Sequence, residues 1–288
     1  MAKGKTGTRE WSRFSQNIHK IRHSGPGAAR STWGGCPHDC RYCYARAGKV
    51  QRHWITPGDW ADDQRWELDV TECVRDRRHR SGVTMFPTQH DIWPAIAGHA
   101  AELGNMYVRA GSMLLVVSKP HVEVIEQLTH AWNTPQHRGL IQFRFTITTL
   151  DTDLASFWEP GAPRIAERLE AARLAHDAGF RTSFSIEPLL DVTTTPRLLE
   201  LLHGISPGGE LWVGLMRKAN QRVIVDDDAT SAALATVLHD QTFTNVQRMA
   251  GRIEAMPDVR GAVRWKDSIQ EMMGYDEPDT FVTKGVTR

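Results

Sequence analysis

Cysteine is scarce in this chain: four occur in 288 residues, too few for a disulfide scaffold. Long apolar runs are missing too, and none approaches the ~20 residues of a membrane span. The N-terminal "MAKGKTGTREWSRF" lacks the apolar stretch of a secretory signal. These absences set the expectation of a cytoplasmic protein without a membrane partner. Its thiols would stay reduced, so clustered cysteines point to a metal or to catalysis. Repeats and low-complexity tracts are absent beyond the rhythm described below.

Net charge is only +1, and 40% hydrophobic with 24% charged residues is ordinary globular composition. The charge is uneven. Residues 1–30 carry Lys3, Lys5, Arg9, Arg13, Lys20, Arg22 and Arg30 against Glu10, a balance of +6 that leaves −5 for the rest. Such an arm suits an anionic partner such as DNA or RNA, and equally a solvated terminus.

Strand-like and helix-like segments alternate along most of the chain. "STWGG" (31–35) reads as a strand leading to the cysteines, and "YARAGKVQRHW" as the start of a helix. "VTMF", "SMLLVV", "IQFRFTIT", "RTSFSIE", "ELWVGL" and "GAVRW" read as strands with helices between them. "PRIAERLEAARLAHDAGF" is the clearest helix, opened by Pro163 and closed by Gly179. Nearly continuous apolar strands alternating with helices argue for an α/β fold. The expected architecture is a partial (β/α)6 TIM-like barrel of parallel strands, with an N-terminal arm (1–30) and a C-terminal helical and strand extension. The barrel core would span 31–217 with an insertion or lid at 51–82, and 218–288 would complete it. Active-site groups should then lie at the C-terminal ends of strands.

Three of the four cysteines stand together in "GGCPHDCRYCYAR". Cys36, Cys40 and Cys43 have the spacing C-x3-C-x2-C. Structural zinc takes four ligands, often as two separated pairs, and no second pair exists here. Cys73 lies thirty residues on. A four-iron cluster held by three thiolates is the other solution, and it leaves one iron open to a small molecule.

This spacing, with Tyr42 just before the last cysteine, resembles the signature of the radical S-adenosylmethionine (SAM) superfamily. "MFPTQHDIWP", "VVSKP" and "FTITTLDTDLASFWEPGAPRIAERLEAARLAHDAGF" are similar to segments of its spore photoproduct lyase branch. "VRWKDSI" resembles a segment of uncharacterised phage and bacterial relatives. The resemblance implies a [4Fe–4S] cluster on Cys36, Cys40 and Cys43 whose open iron chelates SAM. An external one-electron reductant of flavodoxin or ferredoxin type would drive cleavage to a 5′-deoxyadenosyl radical, which takes a hydrogen atom from substrate. Tyr42 and Tyr44 match two tyrosines implicated in SAM packing and hydrogen-atom relay. Asp91 and Thr148 match polar groups near SAM, and Lys119 a lysine that meets its carboxylate.

One departure bears on the reaction. The branch carries a cysteine hydrogen donor after its second strand, where this chain has Pro87 and Thr88. Cys73 would replace that donor only with its loop folded over the barrel mouth. Thymine-dimer repair is therefore not expected. The expected substrate is a nucleobase in DNA or RNA, the alternatives being a peptide or small metabolite, or a non-catalytic zinc or DNA-binding module.

Strand-end position supplies the remaining candidates. Thr88, Glu187 and Met216 are placed with SAM, and Lys266 with a substrate anion. Trp54, Trp60 and Trp66 interleave with basic residues, and Arg75, Arg77, Arg78 and Arg80 follow. Trp54, Trp66, Arg77 and Arg78 are therefore substrate candidates, since aromatic faces beside guanidiniums suit bases and phosphates. His19 and His23 read as ordinary surface residues. Oligomeric state is not legible.

Overall fold

The computed structural model describes residues 14–25, 28–69 and 79–274. Seven strands form one parallel sheet: β1 (Phe14–Ser15), β5 (Thr84–Phe86), β6 (Leu114–Ser118), β7 (Ile141–Thr146), β8 (Arg181–Ile186), β9 (Leu211–Val213) and β10 (Val263–Trp265), neighbours in that order. Every pairing is parallel. Long crossovers carry the helices, as parallel strands require. They include α1 (Tyr44–Gln51), α2 (Ala97–Arg109), α3 (Val122–Ala131), α4 (Pro135–Leu140), α5 (Thr152–Trp158), α6 (Ile165–Asp177) and α7 (Thr195–Ile205). After β9 come α8 (Ala219–Arg222), α9 (Asp228–Asp240), α10 (Phe243–Glu254) and α11 (Pro257–Arg260), and after β10 comes α12 (Asp267–Met273). β1 and β10 do not pair, so the sheet is an open, partial barrel. No helix among the described residues is long and apolar enough to cross a membrane.

Period-two alternation divides the sheet's faces. Ile141, Phe143 and Phe145 on β7, Phe184 and Ile186 on β8 and Val213 on β9 join the apolar core with the helices. Burying each such side chain contributes about 1.5–3 kcal/mol. The intervening Arg144, Thr146 and Ser185 line a cavity instead. The expected apolar strands are thus apolar on one face only. On α6, Ile165, Arg168, Ala171, Ala172 and Ala175 make the buried stripe, and Gly179 (φ +85°) turns the chain out after the helix.

The N-terminal segment departs from the expected arm. Its β1 extends the main sheet beside β5, and β2 (His19–Arg22) is the centre of a small antiparallel sheet. Its neighbours there are β3 (Ser31–Trp33) and β4 (Trp66–Leu68). "STW" therefore belongs to the small sheet, and the expected lid contributes a strand to it. Ile18 and Ile21, both fully buried, hold this segment down. Part of the basic charge is also matched locally, Lys20 by Asp69 at 2.5 Å and Arg22 by Glu67 at 3.4 Å. His19 and His23 are buried, contrary to the surface reading, because His19 packs edge-on against Trp66 and Trp93 and His23 stacks on Trp54.

Candidate functional site

The cysteine loop leaves β3 through Gly34 (φ +130°) and Gly35 (φ +88°). A Cβ on Gly34 would lie 2.7 Å from the Trp60 ring, and one on Gly35 would lie 2.6 Å from Trp66 Nε1. Glycine is required at both for backbone conformation and for space. The loop's other flank rests on the turn after α5: Arg41 N–H donates to Trp158 O at 2.9 Å and Gly161 N–H to His38 O at 3.1 Å. This is the structural role of "EPGAP".

Cys36, Cys40 and Cys43 are free thiols that open on one cavity of about 350 Å³. The cavity lies at the C-terminal ends of the parallel strands. Burial pushes all three thiols up, Cys40 to about 12. Neutral thiols are the state of these residues without a cation, and metal binding displaces their protons.

The imidazoles nearby are committed elsewhere. Fully buried His38 has Nδ1 at 2.9 Å from Asp91 Oδ2 and Nε2 at 3.1 Å from His121 Nε2. His121 Nδ1 lies 3.4 Å from Glu167. His90 Nε2 accepts from Ile18 N–H at 3.3 Å, and its Nδ1 is 2.8 Å from Asp91 O. Cys36, His38 and Asp91 do come within 4.8 Å of one another. His38 and Asp91 already satisfy each other, however. The donor set facing the cavity is three thiols without a free imidazole among the described residues. That set fits a cluster with one open iron better than tetrahedral zinc.

Asp91 organises the cavity wall after β5. Its Oδ1 accepts from Lys119 N–H at 2.9 Å and from the Ser118 hydroxyl at 3.1 Å, and its N–H points at Cys36 Sγ, 3.5 Å away. Burial alone would raise its carboxyl. Lys119 and His38 outweigh that and hold it well below the usual carboxylate range. Lys119 is the converse: burial opposes its charge, but the Asp91 carboxylate, 3.5 Å away, keeps it protonated. Its ammonium also stands 5.6 Å from the centre of the Tyr42 ring. Asp91 is not a helix cap, since Trp93 holds that position.

Tyr42, Tyr44, Thr88, Glu187, Met216 and Lys266 also line the cavity. Tyr44, 51% exposed, reaches from α1 to Thr88 O at the mouth. Thr88 is fixed by Asn17, whose Oδ1 accepts its N–H at 2.9 Å and whose amide donates to its hydroxyl at 2.9 Å. Glu187 pairs with Lys266 at 2.8 Å.

Three of the candidates do not line the cavity. Thr148 is fully buried beneath the site and donates to Glu159 Oε1 at 2.9 Å. Trp54 lies on His23 with Arg52 above it, away from the cavity. Trp66 wedges between Gly35 and Trp93 as a support of the cysteine loop. Cys73, Arg77 and Arg78 fall outside the described residues.

Sequence reasoning passed over several buried charges, Glu159, Arg168, Arg144 and Lys49 among them. Glu159 accepts from the Tyr42 hydroxyl and meets Arg168 Nη1 at 2.5 Å. Arg144 faces the cavity, bonded to Ser183 and Glu210, and burial pulls its guanidinium down to about 10. A signal for Arg144 was available in the alternation of "IQFRFT". Glu159 had none, because Tyr42 lies 117 residues away and Arg168 and Thr148 meet it only through the fold.

No family model matches the chain, and no curated protein does. Among solved structures, a cysteine-to-serine variant of spore photoproduct lyase superposes with TM-score 0.52 at 16% identity, covering 92% of this chain and 80% of that one. A second variant, with bound AdoMet and dinucleoside spore photoproduct, gives 0.44 at 18% identity over 73% of this chain and 62% of that one. At these identities the likeness is one of fold, a parallel sheet flanked by helices.

Proposed function

We propose that this chain is a radical SAM enzyme that takes a hydrogen atom from a nucleobase in DNA or RNA. The observation that carries the reading is the convergence of three free thiols, spaced C-x3-C-x2-C, on one cavity at the strand ends of an open parallel barrel. Cys36, Cys40 and Cys43 would hold a [4Fe–4S] cluster. When bound, cluster and SAM supply hydrogen-atom abstraction, initiated by an external one-electron donor.

The chain's own residues supply position and shelter. Lys119, kept charged by Asp91, offers a cation to the SAM carboxylate. Tyr42, anchored through Glu159, fixes one wall, while Leu215 and Met216 exclude water from another. Arg144, Ser185, Glu187 and Lys266 give the far wall hydrogen-bonding groups suited to a polar substrate. Exposed Tyr44, with Arg222 at 5.7 Å from its ring centre, offers a stacking platform at the mouth. Thymine-dimer repair stays outside the proposal, since Pro87 and Thr88 stand where that branch carries its cysteine donor.

Anaerobic reconstitution tests the proposal. About four iron and four sulfide per chain, with 5′-deoxyadenosine formed from SAM and dithionite, are the expected results. Zinc alone would refute it.

A further inference from the structure

A second groove of about 590 Å³ adjoins the cavity and shares Tyr44, Ala45, Gln89 and Arg222 with it. Its walls are α1 and α8. Along α1, Tyr44, Gly48 and Arg52 recur every four residues and share a helix face, with Ala45 and Lys49 beside them. From the opposite wall come Lys218, Gln221 and Arg222. Gln51 ties the walls together by donating to Gln221 O.

The chemistry of this lining is one-sided. Among the described residues it holds four cations, Lys49, Arg52, Lys218 and Arg222, and no carboxylate. None of the four takes part in an ion pair among the described residues. Lys49 is the telling one, because the residue is only 5% exposed and burial pulls its ammonium down to about 8. Its neutral partners are Gln89 Oε1 at 2.8 Å and Ala45 O at 3.3 Å, with the Trp60 ring at 5.5 Å. A buried ammonium without an anion costs stability, so its retention at the floor of a cationic groove points to an anionic ligand.

We propose that the α1–α8 groove docks the phosphodiester backbone of the substrate strand, with Lys49 beneath a phosphate and Arg52, Lys218 and Arg222 along the rim. The shared mouth at Tyr44 then delivers a base to the cavity while its backbone stays in the groove. This rests on the nucleic-acid reading above and adds where the strand lies.

The test is fluorescence anisotropy on the full-length chain without reconstituted iron, so radical chemistry plays no part in the readout. The probes are a labelled 15-nucleotide DNA strand, the same sequence as RNA and as a DNA duplex, and an uncharged peptide nucleic acid. The double variant Arg52→Glu/Lys218→Glu changes exposed rim positions, and Lys49→Met changes the floor. Each is expected to bind the preferred charged probe at least tenfold more weakly. For a single strand, the double variant should also reduce the slope of log affinity against log salt by about 1.4. Arg173→Glu on α6 and Arg197→Glu on α7 should change binding less than twofold. The tightest of the three charged probes identifies the source of the backbone. Equal binding of the peptide nucleic acid, equal losses in the α6 and α7 variants, or unchanged binding by the rim variant would overturn the proposal. So would competition by a mononucleotide as effective as the strand.

Discussion

Arg168 and Glu159 meet at 2.5 Å with both side chains sealed from solvent, and the same carboxylate accepts the Tyr42 hydroxyl. The pair joins α6 to the turn that supports the cysteine loop. Removing one partner leaves the other charge buried alone, so Arg168→Met and Glu159→Gln should each cost about 3–5 kcal/mol. The double variant should cost less than the sum of the two. Urea unfolding of the four proteins in a cycle measures this, and strict additivity would show the contact to be idle.

Stability should fall on mild acidification. Burial is the main cause that holds His19 and His90 at about 4, against 6.5 when unfolded. Below pH 6.5 the unfolded chain binds protons that the folded chain refuses. Their contribution is therefore complete above pH 6.5 and is lost as pH falls toward 4, at roughly 1.4 kcal/mol per unit for each group. Protonating His90 Nε2 would also set it against the Ile18 N–H it accepts. Unfolding free energies from pH 7 to 4.5 should show this slope, and His19→Gln should remove about one proton from it.

Much of the architecture was legible in the sequence. The six strand segments from "VTMF" to "GAVRW" fall where their apolar residues predicted, and Glu187, Met216 and Lys266, chosen by strand-end position, line one cavity with Asp91 and Lys119, which the resemblance supplied. What escaped depends on distant contacts. Phe14–Ser15 is too short for a periodic signal, and its partner strand is seventy residues away. Trp60 and Trp66 looked like a stacking surface, but they fill the space left by Gly34 and Gly35, which only the folded chain reveals. Nothing in the sequence marks Lys49 among the cations near α1, because its burial depends on the fold around it.

Gly35→Ala places a side chain at φ +88° against Trp66. The backbone strain alone is about 1–2 kcal/mol. Expected outcomes are a lower thermal midpoint and lower iron content after reconstitution. Adding Trp66→Ala relieves the collision but not the strain, so recovery should be partial. Full recovery would show that the left-handed conformation is dispensable.

Lys266→Met should separate stability from function. The Glu187 contact is about a quarter exposed on each side, so its loss should cost less than about 1 kcal/mol. Under the proposed function, cluster content should stay unchanged while substrate-dependent 5′-deoxyadenosine formation falls at least tenfold. Wild-type turnover in this variant would remove Lys266 from the substrate wall.

Among the described residues the edges of β1 and β10 stay unpaired, which carries a consequence of scale. A closed barrel is approached along its axis, which favours free small molecules and chain ends. A sheet that never closes keeps a seam along its side, and a polymer can lie across that seam and present one internal unit without surrendering either end. Modification in the middle of a long molecule is a geometry that this fold permits.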